Sequence, residues 1–342
     1  MPRTLVIAPN WLGDCLMAQP LLMLLKARQP SIAIDVVAIP AVAPVFRRMA
    51  QVSVVIEAEA RHGSLGLRQR WRLGRSLKGR YAQALTLPNS WKSALVPFFA
   101  DVPVRAGYVG ESRYGLLNVR HKNPRKTASR TPMAGFYAQL AEPSNRPRAG
   151  ALPPPRIAVD PLAVIAAKAG IGLRPGEPVV ALCPGAEYGP AKRWPSEYFA
   201  ETAARLKAAG MIPIVLGTQK DAPVGLSIEQ LSHGAALNLA GKTTLDDAIN
   251  LIAGSMLVIT NDSGLMHIAA ALERPQIALF GSSSPEHTPP LSAKAQVIYR
   301  ALDCSPCFAR ECPLGHFRCM REIMPAEVIA RALAISRQEN AE

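Results

Sequence analysis

Short apolar runs alternate with helical patterns along the whole chain. Thr4–Pro9, Ile34–Ile39, Val52–Ala58, Tyr81–Leu87 and Val102–Tyr108 read as buried strands. Cys15–Gln29, Ala43–Ala50 and Pro132–Leu140 read as helices. Val/Ile-rich strands separated by helices predict a parallel sheet covered on both faces. The pattern stops at Glu142–Arg156, EPSNRPRAGALPPPR. Proline continues neither a helix nor a central strand, and Pro-rich segments are semi-rigid spacers, so this is the expected linker. Beyond it the pattern restarts. Val179–Cys183, Ile212–Gly217, Leu257–Asn261 and Gln276–Gly281 read as strands. Ser196–Ala208, stopped by Gly210, and Leu226–Ser232, Leu245–Ala253, Gly264–Leu272 and Pro325–Arg337 read as helices. The predicted organisation is α/β, with Rossmann-like βαβ domains over residues 1–150 and 157–324 facing across a cleft. A C-terminal helix, 325–342, can pack back towards the first domain. Open α/β sheets bind ligands at the carboxyl ends of their strands, so the cleft is the expected site.

The length suits two domains, since single cores stop growing at roughly 250–300 residues. Composition excludes a disordered or fibrous chain: 49% of residues are hydrophobic and 19% charged. Charge adds a partner class. The net charge is +14, and it is uneven: residues 1–155 hold 22 Lys+Arg and 7 Asp+Glu, against 17 and 18 in the remainder. A basic half points to an anionic partner, such as nucleic acid, a phosphorylated substrate or an acidic membrane surface, or serves solubility alone. No apolar run reaches the ~18–20 residues of a membrane span. The opening Met1–Pro9 runs into Asn10-Trp11-Leu12-Gly13-Asp14, which breaks a signal-peptide pattern and leaves a first buried strand. A cytoplasmic protein is expected.

The polar turns at the strand ends carry the candidate chemistry. Asn10–Asp14 follows the first strand and matches neither G-x-G-x-x-G nor a P-loop. Its carboxylate, Asp14, is either a general base or a helix N-cap. The second domain opens with Cys183–Pro195, CPGAEYGPAKRWP, a Gly-rich loop that carries Lys192-Arg193 into a helix with Pro195 at its first turn. Backbone N–H groups and a cation at a helix start bind phosphate or diphosphate; the plain alternative is a solvated basic loop. Thr260–Leu272, TNDSGLMHIAAAL, is a third strand–turn–helix. Asp262 and Ser263 can cap its helix, Ser263 and Gly264 can offer N–H groups to a phosphate, and His267 lies one turn in, as a site residue or a packed core histidine. The hydroxyl-rich Phe280–Pro285 follows another strand.

Together NWLGD, PGAEYGPAKRWP, TNDSGLMHIAAAL and LFGSSSPEHT resemble the ADP-heptose–lipopolysaccharide heptosyltransferases of glycosyltransferase family 9, over essentially the whole chain. PGAEYGPAKRWP with CSPCFARECPLGHFRC is most like the type II members. The resemblance implies the two-domain GT-B fold and inverting transfer of heptose from ADP-L-glycero-D-manno-heptose to the lipopolysaccharide inner core, as the second heptose on heptosyl-Kdo2-lipid A. It implies Asp14 as general base and Lys192 as the cation that binds the donor diphosphate and stabilises the leaving ADP. Asp262, with Ser263, Gly264 and His267, falls near the donor sugar or its phosphates. Glu187, Tyr188, Gly217, Thr218 and Gln219 complete the expected donor site. Some members hold the ribose with a Glu after the strand that ends here at Gly217; here Gln219 or Asp221 would have to substitute. The chain has no D-x-D pattern, so a lysine and a helix N-terminus, rather than a metal, would meet the leaving group, and no catalytic cofactor is expected.

The implied acceptor carries carboxylates and phosphates, which suits the basic half. Asn10, Trp11, Gly13, Lys92, Arg105, Arg113 and Arg120 are the candidates for it. The Arg-rich run Arg61–Arg80 is either a contact with anionic lipid at the cytoplasmic face of the inner membrane or a solvated helix face. Cys304, Cys307, Cys312 and Cys319 are spaced C-x2-C-x4-C-x6-C with His316 among them. In a cytosolic protein they read as a structural zinc site, tighter than usual, or as packed thiols. Rival readings are a type I or III heptosyltransferase, a nucleotide-sugar epimerase on the same fold, and a basic nucleic-acid-binding protein. The last lacks helix-turn-helix, RRM and finger signatures and has only 6% aromatic residues for stacking.

Overall fold

The structure, a computed structural model, describes residues 3–58, 65–123 and 131–339. The chain divides into two compact units, Met1–Ile157 and Ala158–Glu342.

The first unit runs β1 (Arg3–Ile7), α1 (Leu12–Met17), α2 (Gln19–Arg28), β2 (Ala33–Ala38), α3 (Ala43–Arg47), β3 (Val54–Glu57), α4 (Leu67–Ser76), β4 (Gln83–Thr86), α5 (Leu95–Phe99), β5 (Val104–Tyr108), β6 (Val119–His121) and α6 (Met133–Ala138). Its six-stranded sheet has the order β3-β2-β1-β4-β5-β6 with every pairing parallel. Chain direction across the sheet reverses between β1 and β4, a topological switch point where ligand crevices form. The helix expected at Cys15–Gln29 is two helices: Pro20, at the start of α2, has no N–H to continue the ladder, and the break falls at Ala18. The start also moves forward, so Asp14 lies inside α1. The end of the Pro-rich segment is tied down within this unit. Arg156 N–H donates to Oε1 of the fully buried Gln19 at 2.9 Å, and Gln19 Nε2 donates back to the Arg156 carbonyl.

The second unit runs α7 (Pro161–Gly170), β7 (Val179–Cys183), α8 (Ser196–Ala208), β8 (Ile212–Val215), α9 (Ala222–Leu231), β9 (Leu237–Asn238), α10 (Leu245–Ala253), β10 (Leu257–Asn261), α11 (Gly264–Ala271), β11 (Gln276–Phe280), β12 (Ala295–Tyr299), α12 (Arg318–Arg321) and α13 (Pro325–Glu339). The sheet order is β12-β11-β10-β7-β8-β9, again parallel throughout. Strands β7, β10 and β11 are buried at every position, which is why their sequences are continuous apolar runs. Val180, Leu182, Phe199, Ile259, Leu279, Met320 and Val328 share one core with the buried Trp194. Helix α13 packs on α8 and against β10 and β11. The switch point here lies between β7 and β10, with Cys183 opposite Thr260. The loops that leave these strands, one holding Lys192 and the other Asp262, are therefore neighbours.

Candidate functional site

The loop after β7 is held from below by Asn261, the last residue of β10. Its Nδ2 donates to Pro184 O at 2.7 Å and its Oδ1 accepts from Trp194 N–H at 3.2 Å. Trp194 is 1% exposed and anchors the far end of the loop by donating from Nε1 to Ile323 O at 2.8 Å. Lys192 is thus presented on a short 3₁₀ turn between two fixed points. Pro195 is the N-cap of α8, with φ −54° and ψ 140°, rather than the first helical residue.

Lys192 Nζ donates to Asp262 Oδ2 at 2.6 Å, across 70 residues of sequence. Thr288 Oγ1 donates to the same carboxylate, 3.3 Å from each oxygen. The expectation that Asp262 and Ser263 cap α11 with their side chains needs correction. Ser263 takes the N-cap position but its hydroxyl makes no capping bond, lying 3.5 Å from Thr260 Oγ1, while Asp262 faces Lys192. The first N–H groups of α11, from Gly264 on, face the same strand end and have no side-chain cap. His267, one turn in, is 6% exposed. Burial pulls its pKa down to about 4, against a smaller upward pull from Asp262, so it is neutral near pH 7. After β11, the buried hydroxyls of Ser282 and Ser283 have no hydrogen-bond partner among the described residues. A cation and a helix N-terminus meet at one strand end, which suits a phosphorylated ligand.

On the flank, Glu187 pairs with Lys220, and the Tyr188 ring has Lys192 Nζ 5.3 Å from its centroid. Gly217–Gln219 follow β8. The Asp221 carboxylate cannot substitute for a ribose-binding Glu. It is 7% exposed and accepts from both Thr218 N–H (2.9 Å) and Thr218 Oγ1 (2.8 Å) in a capping box. A Cβ on Gly185 would lie 2.7 Å from that carboxylate and would push it aside. Of the two proposed substitutes Gln219 alone is exposed.

In the first unit Asp14 is not the N-cap of α1. Trp11 holds that position with extended backbone, and Asp14 is the third residue of the first turn. Asn10 and Trp11 are exposed beside it, and Gly13 precedes it. Lys92 sits on the 3₁₀ turn Trp91–Ala94, following β4 across the switch point. Two predicted acceptor residues are spent internally instead. Arg113 is 2% exposed, and its guanidinium donates to the carbonyls of Tyr108 (2.6 Å) and Pro88 (2.6 Å) and to Asn89 Oδ1 (3.3 Å). Arg105 donates to Leu116 O (2.8 Å) and Val102 O (2.6 Å). Both tie loops to the sheet, which sequence cannot distinguish from exposed basic charge. Arg120 is exposed, with its Cζ 5.3 Å from the Tyr114 ring centroid.

Residues 61–64 of the Arg61–Arg80 run lie outside the described residues; α4 and the turn after it form the rest. Leu67 and Trp71 are about half exposed there, at 49% and 50%, one helical turn apart and beside Arg68, Arg72 and Arg75. No helix among the described residues is long and apolar enough to cross a membrane.

Cys304, Cys307, Cys312 and Cys319 line one small cavity with His316, Ser282 and Ala191. Backbone N–H groups of Phe317, Leu314, His316 and Gly315 outweigh burial and hold the Cys312 thiol below its ordinary pKa, whereas burial and then the other three cysteines push Cys319 up to about 11. Among the described residues no three His, Cys, Asp or Glu side chains are arranged to hold an ion. Cys15 and Cys183 are buried, as expected of packed thiols.

The family description "Glycosyltransferase family 9 (heptosyltransferase)" matches residues 70–318. The chain is 43% identical to lipooligosaccharide heptosyltransferase 2 of Haemophilus influenzae over 305 residues, 86% of this chain and 87% of that one. It is 40% identical to lipopolysaccharide heptosyltransferase 2 of Escherichia coli, over 99% of this chain and 100% of that one. The solved structure of the E. coli ADP-heptose lipopolysaccharide heptosyltransferase II superposes with a TM-score of 0.87 at 38% identity, covering 99% of both chains.

Proposed function

The chain belongs to glycosyltransferase family 9, the heptosyltransferases, and from that footing we propose that it adds the second heptose of the lipopolysaccharide inner core, using ADP-L-glycero-D-manno-heptose as donor and heptosyl-Kdo2-lipid A as acceptor. It has the GT-B architecture of two parallel α/β sheets and is an enzyme that transfers heptose. The observation that carries the donor reading is the Lys192–Asp262 pair, set at the switch point of the second sheet beside the open N-terminus of α11.

In the proposed step the Asp14 carboxylate accepts the proton of the acceptor hydroxyl. That oxygen forms a bond to the anomeric carbon as the bond from this carbon to the diphosphate oxygen breaks. ADP leaves with the electron pair, and the configuration inverts. An ammonium group has three protons, and Asp262 accepts one from Lys192, which fixes the side chain and leaves two directed elsewhere. Those two, with the Gly264 N–H and the helix dipole, stabilise the charge that grows on the leaving diphosphate. The reaction runs without a catalytic cofactor. Glu187, Tyr188, Gly217, Thr218 and Gln219 border the donor, with Gln219 the candidate for the ribose. Asn10, Trp11, Gly13, Lys92 and Arg120 are the remaining acceptor candidates. The test is release of ADP, which should require both ADP-heptose and a heptosylated acceptor.

The enzyme is further proposed to work in the cytoplasm, peripherally on the inner membrane, where its acceptor lies. What supports this is α4, whose exposed Leu67 and Trp71 stand among arginines; each basic residue near an anionic surface contributes about 1 kcal/mol. Trp71→Ala should reduce co-sedimentation with phosphatidylglycerol vesicles, and unchanged binding would remove α4 from that role. A structural zinc at the four cysteines stays a proposal. Their sulfurs share a cavity, but the loop would have to draw them together. Metal analysis of the purified protein decides it, with one zinc per chain expected and none counting against it.

A further inference from the structure

The loop that carries the cysteines also carries Arg310, and its backbone is stitched to the Lys192 loop. Arg310 O accepts from Ala191 N–H at 3.0 Å, one residue before Lys192. Gly189 makes the close approach possible, since a side chain there would run into the Arg310 carbonyl. Tyr188 Oη donates to Phe308 O at 2.7 Å, and Phe308 N–H donates to Ser282 O at 2.7 Å. The loop is thus fixed both to the Lys192 loop after β7 and to the segment after β11.

The Tyr188 ring then has two cations over it. Lys192 Nζ is 5.3 Å and Arg310 Cζ 5.2 Å from its centroid. Their electrostatic situations differ. Lys192 is 17% exposed and its charge is already balanced by Asp262. Arg310 is exposed, and no carboxylate among the described residues pairs with it. A diphosphate that meets only the Lys192–Asp262 pair meets a site of little net charge. A guanidinium, whose planar fork matches phosphate and stacks on an aromatic face, would supply the missing cation.

We propose that Arg310 is a second diphosphate-binding residue of the donor site, delivered by the cysteine-bearing loop and aimed by the Tyr188 ring. This deepens, and rests on, the reading of the Lys192 strand end as the donor site. On this account the four cysteines, packed behind Ala191 in one cavity, brace the loop that holds Arg310.

The experiment compares ADP with AMP, measured by calorimetry on wild type, Arg310→Gln and Arg310→Lys, together with kcat and KM for ADP-heptose. Arg310→Gln should weaken ADP about tenfold or more, the scale of a hydrogen bond to a charged group. AMP, lacking the second phosphate, should lose far less. The KM for ADP-heptose should rise, and Arg310→Lys should recover part of the ADP affinity. Equal affinities of wild type and Arg310→Gln for ADP would overturn the assignment. So would an equal loss for ADP and AMP, the signature of a displaced loop. Wild-type protein that binds no ADP at all would overturn the donor-site reading itself, and the role of Arg310 with it.

Discussion

Lys192 and Asp262 form an ion pair at 2.6 Å, with their side chains 17% and 4% exposed, at the junction of two strand-end loops. The sheet order explains the meeting: β7 and β10 lie side by side, and each ends in one of these residues' loops. Removing one partner of a buried pair leaves the other charge unpaired, so the pair is both an orienting device and a stability liability.

Lys192→Ala should therefore weaken ADP-heptose binding about tenfold or more, the scale of a charge-assisted hydrogen bond, with acceptor binding unchanged. Calorimetric titrations with each ligand check this, and equal losses for donor and acceptor would remove Lys192 from the diphosphate. Asp262→Asn should keep the ADP affinity better than Lys192→Ala does, because it spares the cation.

Asp14→Asn should lower kcat by about 10²–10⁴-fold, the range for general base catalysis, with little change in ADP affinity. Position supports that role: the carboxylate lies in the first turn of α1, after the central strand of the first sheet. A folded variant with near-normal turnover would exclude it.

The folded-state pKa of His267, about 4, lies below the ~6.5 of an unfolded histidine. The unfolded chain thus binds the proton more readily. The stabilising contribution is complete above pH 6.5 and is lost as pH falls towards 4, up to roughly 3 kcal/mol for a shift of this size. Denaturant titrations at pH 7 and pH 4.5 should show a smaller acid loss for His267→Gln than for wild type. Parallel losses would contradict the buried neutral imidazole.

Arg113→Ala should melt several degrees lower and fail to show a selective loss of acceptor affinity. Its guanidinium holds three backbone carbonyls, of Tyr108, Pro88 and Ser90, inside the first unit. Thermal unfolding with acceptor titration separates the two roles. A normal melting temperature with weakened acceptor binding would restore it to the acceptor site.

Much of the fold was legible where burial governs sequence. Val179–Cys183 and Leu257–Asn261 are strands over the expected residues because burial on both faces forces unbroken apolar runs. Leu245–Ala253 is a helix over the expected residues, started by the Thr244–Asp247 capping box. What escaped lacked such a signal. Helix α4 is half Arg and Gln, α5 contains Pro97, and β6 and β9 are three and two residues long. Helix α7 is the exception, since Asp160 caps it and Pro161 opens it, the ordinary start signals. At the site, residue types at strand ends named Lys192 and Asp262, but not their bond, which depends on strand order. Arg113 misled for a related reason: net charge counts a guanidinium without telling whether water or carbonyl oxygens surround it. Thr288, at the end of the loop LFGSSSPEHT, and Arg310 contact the site from far along the chain, a meeting that residue types at strand ends do not reveal.

The central claim is heptose transfer to an already heptosylated core. The most direct measurement gives the protein ADP-L-glycero-D-manno-heptose with either Kdo2-lipid A or heptosyl-Kdo2-lipid A and weighs the products by mass spectrometry. The account predicts one added heptose on heptosyl-Kdo2-lipid A and none on Kdo2-lipid A. Transfer to Kdo2-lipid A alone, or to neither acceptor, would contradict it.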